Sequence, residues 1–116
     1  MPLIKLQTAI KPESAQVEEL LKTLSSALSQ HLSKPESYVM TAFEAGIPMT
    51  FAGSTDPCCY VEIKSVGQFS GSQTQAMSEA FCRQIEAALG IPKKRIYIEF
   101  TDAKGYLWGW NGTTFG

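Results

Sequence analysis

The second residue of the chain is a proline, set directly behind the initiator methionine in Met1-Pro2-Leu3-Ile4-Lys5-Leu6. Within a polypeptide that nitrogen is an inert amide. Loss of Met1 makes it a terminal secondary amine with a free lone pair, a candidate proton acceptor. A second residue as small as proline usually permits that loss. The same dipeptide also suits the start of an edge strand, where a missing N–H costs little. Other reactive side chains are few. Cys58, Cys59 and Cys82 form an odd set with two sequence neighbours, so all three read as free thiols. The single histidine, His31, falls near the end of a helical pattern and lacks any Cys-x-x-Cys or His-x-x-x-His companion spacing. It reads as a surface residue, and no metal site is expected.

The elements that must position these residues repeat. Gln16, Leu20, Leu24, Leu28, Leu32 and Pro35 recur 57 positions later (92 − 35 = 57) as Gln73, Met77, Phe81, Ile85, Leu89 and Pro92. Each copy reads as strand, helix, strand. In the first, Leu3 to Thr8 alternates apolar and polar residues as a half-buried strand does. Ser14 is the expected N-cap of a helix carrying Val17, Leu20, Leu21, Leu24, Leu28 and Leu32 on one face, ended by Lys34-Pro35. Tyr38 to Phe43 is the expected return strand. The second copy has a strand from about Cys59 to Val66, a helix from about Ser72 to Leu89 stopped by Gly90-Ile91-Pro92, and a closing strand from Ile96 to Thr101.

Two βαβ units with right-handed crossovers predict an α+β fold: one four-stranded mixed sheet with both helices on the same face. The other face is then uncovered. Read as apolar, it is expected to be buried by further copies of the chain. Ala45 to Ser54 reads as a loop with one short strand, and the aromatic tail Gly105 to Phe115 is too short for a helix of its own.

A length of 116 residues, 44% hydrophobic, with a net charge of −1, fits a single domain spanning residues 1–116. The charge balance offers no basic face for nucleic acid, and Lys93-Lys94-Arg95 reads as a solvated turn. No apolar run approaches the roughly 20 residues of a membrane span, and no basic start precedes an apolar core. Synthesis in the cytoplasm is expected.

With Pro2, the doubled unit and the tail in view, the chain resembles the macrophage migration inhibitory factor family of the tautomerase superfamily. The resemblance collects in Met1-Pro2, Ser33-Lys34-Pro35-Glu36-Ser37-Tyr38, Gly53-Ser54-Thr55-Asp56-Pro57-Cys58, Lys64-Ser65-Val66-Gly67, Arg95-Ile96-Tyr97-Ile98 and Gly109-Trp110-Asn111-Gly112-Thr113-Thr114-Phe115. It implies a homotrimer with active sites at subunit interfaces, and cofactor-independent keto–enol tautomerisation of phenylpyruvate-like acids, with dopachrome as a further implied compound. Pro2 matches the general base. Lys34 matches the lysine that holds the substrate carboxylate, and Val66 stands where an isoleucine backbone contacts substrate. Tyr97 matches a tyrosine from the adjacent subunit, while Tyr38, Trp110 and Phe115 match aromatics around the pocket. Leu3, Met40 and Trp108 are further wall residues.

Two positions depart from the family pattern. Glu99 replaces an asparagine that is frequent there, and a carboxylate near Pro2 would favour its protonated form and repel an anionic substrate. Cys58 matches the first cysteine of a Cys-x-x-Cys, but Val61 fills the second position, so a dithiol cycle cannot close. Two other readings stand beside the enzyme: a cytokine-like ligand of a receptor, for which the sequence offers little, and a trimer with a vestigial pocket. Animal relatives leave cells without a leader, so the N-terminus does not decide against export.

Overall fold

A computed structural model describes residues 1–116. The chain runs β1 (Leu3–Thr8), α1 (Ser14–Leu32), β2 (Met40–Glu44), β3 (Cys59–Val66), α2 (Gly71–Leu89), β4 (Ile96–Ala103), β5 (Gly109–Trp110) and β6 (Thr113–Thr114), with 3₁₀ turns at Glu36–Tyr38, Lys93–Arg95 and Gly105–Leu107. The four longer strands form one sheet in the order β2-β1-β3-β4. β1 is parallel to β2, with Leu3 opposite Met40, and antiparallel to β3, with Lys5 opposite Glu62; β3 is parallel to β4, with Glu62 opposite Glu99.

The internal repeat survives in three dimensions. Both helices have 19 residues and start 57 positions apart (71 − 14 = 57), and the first two 3₁₀ turns keep the same offset (93 − 36 = 57). Residues four apart on α1, Leu20, Leu24, Leu28 and Leu32, share one buried stripe, and Met77, Phe81 and Ile85 do the same on α2. Both stripes close over Ile4, Leu6, Val61 and Ile63 from one face of the sheet, giving a single core. Period-two alternation explains the selection, since every second residue of β1 and β3 is buried.

Five local expectations change. The N-cap of α1 is Glu13, without a side-chain cap bond, and Ser14 is the first helical residue; α2 instead has a full capping box between Ser70 and Gln73. The return strand begins at Met40, because Pro35 leads into a 3₁₀ turn that takes up Tyr38. His31 is half-buried, its ring edge-on to Phe81 with centroids 5.7 Å apart. Arg95 is more than solvated, donating to the carbonyls of Ser54, Asp56 and Pro57 and so tying down the loop before β3. In the loop between the repeats, the expected short strand reduces to one bridge between Phe51 and Ser54.

The open face of the sheet is also different in kind from the apolar one expected. Lys5 and Gln7, Tyr60, Glu62 and Lys64, and Glu99 and Thr101 alternate with the core residues, and Lys5 and Lys64 pair with Glu62 while Lys5 also reaches Glu44. The exposed apolar surface lies instead at the sheet margins and in the tail, on Met40, Tyr97, Tyr106, Leu107 and Trp110. Both outer strands, β2 and β4, have one unpaired edge.

Candidate active site

Pro2 precedes β1, and its ring is fully buried. Its carbonyl accepts the Met40 N–H at 3.0 Å, which extends the β1–β2 ladder one step past Leu3 and fixes the start of the chain. Around it lies a cleft of about 280 Å³ lined by Met1, Pro2, Leu3, Tyr38, Met40, Trp108 and Trp110, among others. The wall is aromatic by construction. Tyr38 meets Trp110 edge-on at 5.5 Å, and Trp110 stacks on Phe115 at 5.8 Å.

The tail that carries those aromatics is a small hairpin. Gly109 pairs with Thr114 and Trp110 with Thr113 across Asn111-Gly112, both of which have positive φ (52° and 77°). An Asn-Gly pair is the strongest short sequence signal for such a turn. The Phe115 N–H donates to the Gly105 carbonyl at 3.1 Å, returning the chain end to the 3₁₀ turn that follows β4.

Lys34 enters from the other side. Ser33 closes α1 in the left-handed region (φ 53°), and Ser29 then grips Lys34 twice, accepting its N–H at the Ser29 carbonyl (3.1 Å) and donating its hydroxyl to the Lys34 carbonyl (2.5 Å). Sequence reasoning missed Ser29, and nothing sets it apart from the other serines of that helix. The Lys34 ammonium donates to the Val66 carbonyl and borders a second hollow, about 210 Å³, shared with Val66, Gly67, Phe69 and Gln73. Burial pulls the Lys34 ammonium below its ordinary range. The terminal ammonium of Met1 is also lowered, first by burial and then by repulsion from Lys34. Lys34 is therefore electrostatically coupled to the N-terminus.

Pro2, Lys34, Tyr38, Val66, Trp110 and Phe115 thus gather around the start of β1 within one chain. Tyr97 and Glu99 do not join them. They lie on β4, two strands from β1 and hence about 10 Å across the sheet. Tyr97 is 66% exposed and packs on Phe51, with ring centroids 4.9 Å apart. Glu99 accepts the Thr101 hydroxyl at 3.2 Å and sits beside Glu62 and Tyr60, whose phenol is raised by burial and then by the two carboxylates. The most voluminous groove, about 940 Å³ on the outer side of α2, is lined by Glu79, Arg83, Glu86 and Lys93 and contains none of the expected site residues. No group of three His, Cys, Asp or Glu side chains comes together as a metal site. No helix is long and apolar enough to cross a membrane.

Comparison with known proteins agrees with the fold. The family model for macrophage migration inhibitory factor matches residues 1–116. The solved structure of a macrophage migration inhibitory factor homologue from Prochlorococcus marinus has a TM-score of 0.93 at 53% identity, covering 98% of this chain and 99% of that one. The macrophage migration inhibitory factor of Meriones unguiculatus is 36% identical over 115 residues, 99% of each protein. The homologue from Brugia malayi is 36% identical over 116 residues, the whole of both. The chain belongs to the macrophage migration inhibitory factor family and has the tautomerase superfamily fold.

Proposed function

We propose that the protein, once Met1 is removed, is a cofactor-independent keto–enol tautomerase of phenylpyruvate-like aromatic 2-oxo acids. The observation that carries this reading is the position of Pro2, buried in an aromatic cleft with the N-terminus electrostatically coupled to a partly desolvated lysine. A tautomerase takes a proton from one substrate atom and returns it to another, with no net change in electrons. Its base works best when its pKa is near the working pH. An α-amino group starts near about 8, and burial and a neighbouring cation both push it towards the free base. In this scheme the Pro2 nitrogen abstracts the proton from C3 of the keto acid and delivers it to the oxygen on C2, or the reverse. Lys34 holds the carboxylate and stabilises the charge that develops on the enolate. Tyr38, Trp110 and Phe115 receive the phenyl ring.

The same reading makes the working unit a homotrimer. Two open sheet edges and the exposed Met40, Tyr97, Tyr106, Leu107 and Trp110 are surfaces that further copies would cover. Tyr97 and Glu99 would then reach the cleft of a neighbouring subunit, which accounts for their distance from Pro2 within one chain. The test compares mass-verified, Met1-processed protein with a Pro2→Gly variant on phenylpyruvate. Loss of most of the activity is expected, and equal rates would overturn the proposal.

A further inference from the structure

We infer that Gly67 is a positioning residue for Lys34: the peptide joining it to Val66 is a two-ended clamp that holds the lysine ammonium at the edge of the hollow it shares with both residues. Resting on the tautomerase reading for its substrate, this assigns a part of the carboxylate site to a residue without a side chain.

The peptide between Val66 and Gly67 is trans, as are all peptide bonds in the chain. Its N–H and its carbonyl therefore point in opposite directions. The Gly67 N–H donates to the Ala103 carbonyl at 3.0 Å, continuing the β3–β4 ladder at the register where Val66 faces Ala103. With its N–H turned to β4, the peptide's carbonyl must point away from β4, and it meets the Lys34 ammonium there. The Ser65 hydroxyl lies 3.4 Å from the same oxygen. One rigid peptide thus ties the end of the sheet to Lys34, two residues past the end of α1.

Gly67 is needed for two reasons. Its φ of +103° lies where L side chains are rarely found, and it lets the chain leave the sheet at once, towards the Ser70 cap of α2. A Cβ built at this position would also sit 3.8 Å from the Lys34 Nζ, which is ordinary contact distance. Alanine would therefore twist the clamp and lay a methyl group against a cation that already lacks part of its hydration. Lys34 keeps its charge in such a variant. What it loses is a fixed position.

The experiment is Gly67→Ala, assayed on phenylpyruvate and on its uncharged methyl ester, with the ¹³Cε signals of Lys34 and Lys64 followed by NMR titration. The KM for phenylpyruvate is expected to rise about tenfold with kcat within about threefold, while the ester is turned over as by wild type. The Lys34 titration midpoint should move and that of Lys64, on the open face of the sheet, should not. Equal losses on both compounds, or an unmoved Lys34 midpoint, would overturn the inference. Should wild type turn over neither compound, the tautomerase reading falls and the Lys34 midpoint alone decides whether the clamp exists. If Gly67→Ala fails to fold, Gly67→Asn, which tolerates positive φ at lower cost, takes its place in the same measurements.

Discussion

Replacing Lys34 with methionine removes a charge while keeping most of an unbranched stem, so it isolates the electrostatic role of this residue. An ammonium has three donors, and one is taken by the Val66 carbonyl. Two remain for a bound carboxylate. Hydrogen bonds to charged groups contribute about 1.5–3 kcal/mol each. Lys34 is only half-buried, so screening keeps the sum for the pair near ~1.5–3 kcal/mol. The KM for phenylpyruvate should accordingly rise ~10- to 150-fold, a factor of ten for each ~1.4 kcal/mol. A second effect has a definite sign. On the tautomerase reading the free base is the active form, so kcat/KM climbs with pH through the amine pKa and then levels. Lys34 lowers the pKa of the Met1 terminal ammonium, after the larger effect of burial, and the same repulsion is expected on a Pro2 amine one residue further on. Its loss should therefore move the acid limb of the profile to higher pH by part, and not all, of the displacement from the ordinary value. Steady-state kinetics of Met1-processed protein across the acid limb checks both. An unchanged KM together with an unmoved limb would refute the role given to Lys34.

Two more outcomes follow from the charges of the sheet. Burial, with Cys58 adding to it, pushes the Cys59 thiol up to about 12 from the ordinary 9.0, so the folded state keeps a proton that the unfolded chain gives up. The stability this contributes is complete below about pH 9 and is lost as pH rises towards 12; in denaturant titrations Cys59→Val should flatten the alkaline fall in stability, and an unaltered slope would contradict the assignment. On the trimer reading, Glu99 faces a neighbouring Pro2 and favours its protonated form. Glu99→Gln should then move the acid limb to lower pH and reduce KM for the anionic substrate, whereas an identical profile would remove Glu99 from the site.

Much of the fold was legible because the chain states it twice. An offset of 57 seen in a few apolar residues reappears in both helix spans, in two 3₁₀ turns and in the left-handed terminators Ser33 and Gly90 (90 − 33 = 57). Helix starts were harder to read. Ser14 looks like a cap, yet Glu13 holds that place without any side-chain bond, while the Ser70–Gln73 box went unnoticed. The polar character of the open face is written in the alternation of Lys5, Gln7, Glu62, Lys64 and Glu99, but the expectation of an apolar face rested on its being uncovered by helices, which says nothing of which side chains it carries. Pro2, Tyr38 and Trp110 line one cleft, Phe115 stacks on Trp110, and Lys34 borders a separate hollow beside Val66. The support from Ser29 was invisible, since it depends on where a helix ends in space. For Tyr97 the resemblance implied a place in the adjacent subunit's site, whereas its position, and that of Glu99, two strands from β1 follows from strand order, which local periodicity does not encode.

The central claim concerns one nitrogen, and two forms of the same polypeptide test it with every residue after Met1 unchanged. Protein that retains Met1 and protein that has lost it, each verified by mass, are compared on phenylpyruvate at equal concentration and the same pH. General-base catalysis is typically worth about 10²–10⁴ in rate, so the processed form should be faster by at least about a hundredfold. Equal rates in the two forms would contradict the account.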